Sequence, residues 1–167
     1  ISGKFKGRRL VSFDQDHIRP TTDRVKESLF NIVAQDIPGA RVLDLFSGTG
    51  NLGIEALSRE AAHVDLVEVN PKSLVIIRKN LELLKIEEGV KIIKNDAVRY
   101  VQAYGGAPYN VILIDPPFPA KICMATLEAI AQSPVADQQT RIIIEHSRHE
   151  PLPDQILSLR RVDLRPY

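Results

Sequence analysis

The sequence predicts an α/β fold in which a doubly wound, mostly parallel sheet carries helices on both faces. Two observations support this prediction. Short apolar runs alternate with longer amphipathic segments along most of the 167 residues, as in strand–helix–strand units with right-handed crossovers. The first of these runs, residues 41–46, leads directly into a glycine-rich turn and a predicted helix. It is apolar along nearly its whole length, as expected of a strand covered on both faces.

The N-terminal part of the chain precedes this alternation. Residues 1–13 hold two glycines between short segments compatible with strands, which predicts a small β-hairpin. A helix is expected after Pro20, with an apolar face formed by Val25, Leu29 and Ile32. We therefore expect one domain spanning 1–167, with the hairpin and first helix in 1–37 and the core in 38–167.

The core elements follow from apolar periodicity and from proline and glycine breaks. Strands are predicted at 41–46, 63–69, 90–94, 109–114, 141–145 and 160–165, and helices at 51–59, 71–84, 97–104, 119–131 and 152–159. Ligands in such sheets bind outside the carboxyl ends of the strands, where strand order reverses. Four segments follow strand ends and should therefore converge: the glycine turn, Glu68, Asp96 and residues 115–118.

Composition excludes several classes of protein. No apolar run approaches the roughly 18 residues that span a bilayer, so we expect no membrane partner. The single cysteine, Cys123, allows no internal disulfide and fits a reducing compartment such as the cytoplasm. The four histidines lack metal-ligand spacing, so no metal is predicted. A net charge of +1 neither requires nor excludes a nucleic-acid partner. We expect a monomer.

The turn after the first strand points to a nucleotide-like cofactor. Gly48, Gly50 and Gly53 match G-x-G-x-x-G, and Glu68 has about the spacing of an acid that binds ribose hydroxyls. The same arrangement serves both NAD and S-adenosylmethionine, so the glycines alone leave both open. Asp44 is costly inside an apolar strand unless a partner satisfies it. Asp96 could accept from an adenine amino group or simply cap a helix.

The segment Asp115-Pro116-Pro117-Phe118 favours a particular kind of substrate. Two prolines after a buried strand form a rigid turn without amide donors. The turn therefore presents carbonyl and carboxylate acceptors, with an aromatic ring directly behind them. Such a set suits a planar base with an exocyclic amine, because the acceptors hold the amine hydrogens while the ring stacks on the base. A proline turn beside a core phenylalanine is the alternative.

These motifs together resemble class I methyltransferases that use S-adenosylmethionine: the loop 44–50, Glu68, Asn95-Asp96-Ala97 and Asp115-Pro116-Pro117-Phe118. The last motif is similar to the (D/N)PP(Y/F) element of enzymes that methylate amino groups on bases or on glutamine amide. Residues 1–10 (ISGKFKGRRL) and 19–31 (RPTTDRVKESLFN) specifically resemble the RsmD-type family. Members of that family methylate a guanine amino group of bacterial small-subunit ribosomal RNA. The resemblance covers essentially the whole chain.

The resemblance implies a Rossmann-like fold, S-adenosylmethionine as cofactor and a set of roles for individual residues. The residues implied to bind the cofactor are Asp44, Phe46, Ser47, Gly48, Gly50, Glu68, Val69, Asp96, Ala97 and Asp115. Those implied to act in catalysis are Asp115, Pro116, Pro117 and Phe118. Those implied to bind RNA are Lys4, Lys6, Arg8, Arg9, Arg19, Thr21 and Arg24. From the residues alone, the basic N-terminal stretch is also compatible with a solvated strand edge.

The implied function is methyl transfer to a guanine amine of small-subunit rRNA, either free or in a partly assembled subunit. Family members continue past Tyr167 into a last strand, which we expect to be missing here. Three alternatives stay open: an amino-methyltransferase acting on DNA adenine or a glutamine amide, a NAD-binding oxidoreductase, and a non-catalytic RNA-binding module. Phe118 stands where tyrosine is commoner in the family, which preserves stacking but loses a hydroxyl contact.

Overall fold

The computed structural model describes residues 1–13, 23–117 and 121–167. A short 3-10 helix at Gly3–Phe5 is followed by five helices: α1 (Asp23–Ile32), α2 (Asn51–Ser58), α3 (Pro71–Leu83), α4 (Ala97–Ala103) and α5 (Ile122–Ala131). The strands are β1 (Arg41–Leu45), β2 (His63–Glu68), β3 (Val90–Lys94), β4 (Val111–Ile114), β5 (Arg141–Ile144), β6 (Gln155–Ile156) and β7 (Leu159–Arg160). Across the described ranges, every helix is too short or too polar to cross a bilayer.

Strands β1 to β5 form one parallel sheet in the order β3-β2-β1-β4-β5. Val42 of β1 lies opposite Val64 of β2 on one side and Val111 of β4 on the other. The chain therefore builds the sheet outward from β1 to β3, then returns to β4 and builds in the other direction. Strand order reverses between β1 and β4, which is where sheets of this type bind ligands. The predicted doubly wound α/β fold is confirmed.

The two faces of the sheet bury separate apolar clusters, because successive strand side chains point to opposite faces. Val42, Val64 and Leu66 belong to a cluster with apolar residues of α1, α2 and α3. Leu43 and Ile112 belong to a second cluster, which includes residues of α4 and α5. Helices on both faces explain why β4 reads as an unbroken apolar run, with all four residues buried.

The buried face of α1 is rotated from the one predicted, and Leu29 belongs to both faces. Lys26 is buried, with 7% of its surface exposed, and lies on the same face as Leu29 and Phe30. Val25 and Ile32, expected in the core, are half-buried. The buried lysine is tolerated because its Nζ hydrogen-bonds to Asn51 Oδ1 at 3.1 Å and lies near the buried carboxylate of Glu55.

The predicted N-terminal hairpin is wrong. Within residues 1–13 the chain forms the 3-10 helix and then continues without strand pairing. Gly3 and Gly7 both adopt positive φ angles, and Gly7 N donates to Ile1 O across a tight turn. That turn uses the main-chain groups that a hairpin would have paired. We call residues 1–13 the basic arm.

The predictions at the C-terminal end are also wrong. Residues 152–159 were expected to be helical and 160–165 to be a strand of the sheet. Instead β6 and β7 form a small separate antiparallel pair, and residues 161–167 form neither helix nor strand. A helix is not formed because residues 155–156 pair instead with residues 159–160. Leu157, with φ of 52°, makes the turn between the two short strands.

Candidate active site at the strand-order reversal

The glycine loop between β1 and α2 folds back on itself through a series of left-handed residues. Phe46, Gly48 and Gly50 all have positive φ angles, of 59°, 57° and 84°. Ser47 fixes the loop to its surroundings, since its N–H donates to Val67 O and its carbonyl accepts from Gly50 N. A Cβ placed on Gly48 would meet no protein atom within 4 Å. The loop therefore exposes its main chain at Gly48, as a ligand cradle requires.

Asp44 supports this loop from beneath. It is almost completely buried, and its Oδ2 accepts from Gly53 N at 2.9 Å. Burial raises the pKa of Asp44 well above its ordinary value, although the Gly53 hydrogen bond partly opposes this shift. The carboxylates of Asp115 and Glu68 raise this pKa further. Because Asp115 and Glu68 both raise the pKa of Asp44, the three carboxyl groups lie in one region, at β1, the end of β2 and the turn after β4.

Glu68 clamps the glycine loop to the turn after β2. Its Oε2 accepts from Gly48 N at 2.7 Å, and its Oε1 accepts from Val69 N at 3.0 Å and Asn70 N at 2.9 Å. A carboxylate has about four acceptor positions. Three are therefore occupied by main-chain amides, and about one remains for a ligand hydroxyl. The expected contact with two ribose hydroxyls stays a prediction. It requires one of these main-chain amides to give up its hydrogen bond to Glu68.

The loops after β2 and β3 complete the adjoining wall. Asp96 caps α4, since its Oδ1 accepts from Arg99 N at 3.0 Å, and Ala97 behind it is buried. Asn95 N donates to Glu68 O, which ties this loop to the end of β2. Val69 leaves 56% of its surface exposed beside Glu68. An exposed apolar side chain next to hydrogen-bonding groups is suited to a flat ring such as adenine.

The turn after β4 lies beside the glycine loop. Leu45 and Ile114 are partners in the β1–β4 pairing, so Phe46 and Asp115 follow directly from neighbouring positions. Asp115 is half-buried, Pro116 is buried and Pro117 is exposed. Glu145 N donates to Ile114 O, which anchors the start of the turn to β5. Phe118, predicted to stack on the substrate base, lies outside the described residues.

The basic arm presents its charges to solvent. Lys4, Lys6, Arg8 and Arg9 are all exposed, as is Arg24 on α1. Arg8 also donates to the carbonyl of Leu83 at the end of α3. Two further predicted RNA contacts, Arg19 and Thr21, lie outside the described residues. Lys26, two residues after Arg24, is buried beside Glu55 and so is not available to bind RNA.

Sequence reasoning missed the residues that fasten the arm to the core. Asn80 is fully buried in α3 and hydrogen-bonds to Val11 of the arm and Thr49 of the glycine loop. Glu55, buried in α2, accepts from Ser2 N. The available signal was an amide or carboxylate close to the apolar stripe of a helix. Such a residue needs a partner, and the partner here comes from a distant segment.

The histidines and acids form no alternative centre in the described ranges. There, no cluster of three or more His, Cys, Asp or Glu side chains could hold a metal ion. His63 pairs with Asp65 near the amino end of β2, whereas the glycine loop lies at the carboxyl ends of the strands. His146 Nδ1 lies 3.1 Å from the carbonyls of Ser147 and Glu150, so this ring engages its own loop.

Comparison with known proteins shows that the similarity spans both the arm and the core. The family described as Conserved hypothetical protein 95 matches residues 1–167. YlbH of Bacillus subtilis (strain 168) is 37% identical over 158 residues, covering 93% of this chain and 86% of that protein. Ribosomal RNA small subunit methyltransferase D of Escherichia coli (strain K12) is 36% identical over 153 residues, covering 92% of this chain and 76% of that protein. The solved structure of Escherichia coli yhhF superposes with a TM-score of 0.81 at 34% identity, covering 91% of this chain and 82% of that one.

Proposed function

Because this chain belongs to the RsmD family, described as Conserved hypothetical protein 95, we propose that it methylates the exocyclic amine of a guanine in bacterial small-subunit ribosomal RNA. S-adenosylmethionine is the proposed methyl donor. The observation that carries the proposal is the position of the Asp115-Pro116 turn beside Phe46, where strand order reverses. An acceptor-rich turn thus adjoins a main-chain cradle that a nucleoside cofactor can occupy.

The residues around the glycine loop fit this cofactor. Gly48 offers an open main-chain surface for the amino-acid part, while Glu68 faces the loop with about one acceptor position left for ribose. Val69 provides an apolar surface for adenine, and Asp96 lies at the next strand end, where it can accept from the adenine amine. Asp44 acts indirectly, because it holds Gly53 and so the start of α2.

The chemistry requires little from the protein beyond placement. When bound, the cofactor supplies an electrophilic methyl group on a positively charged sulfur. The guanine amine is a poor nucleophile, because its lone pair is delocalised into the ring. Asp115 and the Pro116 carbonyl accept from the two amine hydrogens, which orients the lone pair toward the methyl carbon and stabilises the developing positive charge. Asp115 would accept the proton that leaves the nitrogen when the bound cofactor gives up its methyl group, with S-adenosylhomocysteine as the other product.

RNA engagement is assigned to the exposed cations of the arm and to Arg24. Phosphates contribute most of the sequence-independent affinity of such interfaces, and the arm carries four cations and no acid. The target base must leave its stack to reach Asp115, at a cost of a few kcal/mol. The unstacked base would then be held at the Asp115-Pro116 turn.

The first test is cofactor identity. Calorimetry should detect S-adenosylhomocysteine binding and no comparable binding of NAD. Tight binding of NAD alone would overturn the proposal and favour an oxidoreductase. The second test compares methyl transfer to small ribosomal subunits, naked rRNA, DNA and protein, with mass mapping of the modified nucleotide. Guanine modification in small-subunit rRNA is the expected result, whereas transfer to DNA adenine or a glutamine amide alone would contradict it.

The third test isolates Asp115. The Asp115→Ala variant should lose methyl transfer while retaining affinity for S-adenosylhomocysteine. Asp163→Asn, an exposed change near the C-terminal end, serves as the matched control and should behave as wild type. Loss of cofactor affinity in Asp115→Ala would contradict the role assigned to this carboxylate.

A further inference from the structure

Asn80 makes a bridge between two segments that are far apart in sequence. It is fully buried in the last turn of α3. Its Oδ1 accepts from Val11 N at 2.6 Å, while its Nδ2 donates to Val11 O at 3.0 Å and to Thr49 O at 2.9 Å. Both side-chain amide hydrogens have an acceptor here, so one planar group fixes the arm and the glycine loop together.

The other anchors of the arm lie away from this loop. Ser58 Oγ accepts from Phe5 N at 2.9 Å and also bonds to Ser2 O. Ser58 ends α2, whereas the glycine loop precedes the same helix at Gly50. Eight residues of helix separate these points by about 12 Å. The arm is therefore held on α2, by Glu55 and Ser58, and on α3, by Asn80 and the Leu83 carbonyl. Of these groups, Asn80 also bonds to the glycine loop.

We propose that Asn80 is a positioning residue that couples occupancy of the glycine loop to placement of the basic arm. A ligand seated on residues 48–50 restricts the Thr49 peptide, and with it the plane of the Asn80 amide. The same amide holds both main-chain groups of Val11, so the arm is ordered as the loop is ordered. Coupling of this kind is reciprocal, so an RNA held by the arm strengthens cofactor binding by the same factor. The identity of the two ligands rests on the proposed function above.

The first test uses the cofactor product alone and requires no RNA. Amide hydrogen exchange at Val11 is measured with and without saturating S-adenosylhomocysteine. Exchange should slow by roughly fivefold or more in the wild type, the lower end of typical coupling factors. Ser58→Ala loosens the arm at its other anchor and should keep this cofactor-dependent slowing. Unchanged exchange at Val11 in a protein saturated with S-adenosylhomocysteine would overturn the proposal.

The second test measures coupling in the presence of RNA. Affinity for small ribosomal subunits lacking the modification is measured with and without S-adenosylhomocysteine, and the ratio of the two affinities is the readout. The ratio should be at least about fivefold in the wild type and close to one in Asn80→Leu, which keeps the branched shape of the side chain but loses all three hydrogen bonds. Ser58→Ala should weaken both affinities alike and keep the ratio. An unchanged ratio in Asn80→Leu would refute the coupling role.

A variant on the exposed arm tests the same hydrogen bond in case Asn80→Leu does not fold. Val11→Pro removes the N–H that donates to Asn80 Oδ1 and leaves the apolar core unchanged, and it should also lower the ratio of the two affinities toward one.

Failure of the proposed function can be told apart from failure of the coupling. If S-adenosylhomocysteine binds but rRNA is not methylated, the substrate assignment fails, while slowed exchange at Val11 still supports the bridge. If S-adenosylhomocysteine does not bind, both are overturned.

Discussion

Gly53 N donates to the buried Oδ2 of Asp44 at 2.9 Å, and this bond joins the first strand to the helix that follows the glycine loop. The bond satisfies one oxygen of a carboxyl that would otherwise be costly within an apolar strand. It also sets the direction in which α2 leaves the loop. Two predictions follow from this pair, one for each partner.

Asp44 should make stability depend on pH in an unusual direction. Burial raises the pKa of this carboxyl in the folded protein, so folding takes up a proton at pH values between its unfolded and folded pKa. Its stabilising contribution is full below the unfolded pKa, about 3.9, and is lost as pH rises through the folded pKa. Denaturant unfolding of wild type and Asp44→Asn across this range should show the wild type losing stability relative to the variant as pH rises. A difference that is independent of pH would rule this out.

Gly53→Ala should destabilise the protein. The added Cβ would overlap Leu66 Cδ2 and would lie 3.1 Å from both Asp44 Oδ2 and Val64 Cγ1. Overpacking of this kind typically costs about 1–3 kcal/mol, measurable as a lower free energy of unfolding. Gly105→Ala is the matched control, because a Cβ there meets nothing within 4 Å. Equal stability of the two variants would show that α2 can shift to make room.

Glu68→Gln should weaken cofactor binding. A glutamine oxygen can replace one acceptor, but its amino group cannot accept from Gly48 N or from the amides of Val69 and Asn70. Hydrogen bonds to a charged group contribute about 1.5–3 kcal/mol, so losing the charged acceptor for a ribose hydroxyl should raise the dissociation constant for S-adenosylhomocysteine roughly tenfold or more. Glu128→Gln, an exposed change on α5, should leave the value unchanged in the same calorimetric measurement.

Neutralising the arm should lower RNA affinity and its dependence on salt. Replacing Lys4, Lys6 and Arg9 with glutamine removes three exposed charges. If each contacts a phosphate, the slope of log affinity against log salt should fall by about 0.7 per charge. Any fall in the affinity for S-adenosylhomocysteine should come only from the proposed coupling between the arm and the glycine loop through Asn80. A control variant with Lys91 and Arg141 neutralised, two exposed residues near the amino ends of β3 and β5, should keep the wild-type slope; an equal loss there would indicate diffuse attraction.

Local sequence patterns were sufficient to predict the parallel sheet and which strand ends adjoin at the candidate site. Strand and helix periodicity is a property of neighbouring residues, and it identified β1 to β5 and α1 to α5 with small errors at their ends. Glu68, Asp96 and Asp115 follow from the same reasoning, because the carboxyl ends of parallel strands meet at one edge. Motif resemblance then identified the family, which the comparisons confirm.

Only the tertiary structure decided which distant groups satisfy one another. Nothing local indicates that Lys26 is buried against Glu55, that Asn80 holds Val11 and Thr49, or that the arm forms a 3-10 turn rather than a hairpin. The first two outcomes depend on a polar group finding a partner about 30 to 70 residues away in sequence. The physical reason is that burial requires pairing, while the identity of the partner depends on how the helices are laid across the sheet.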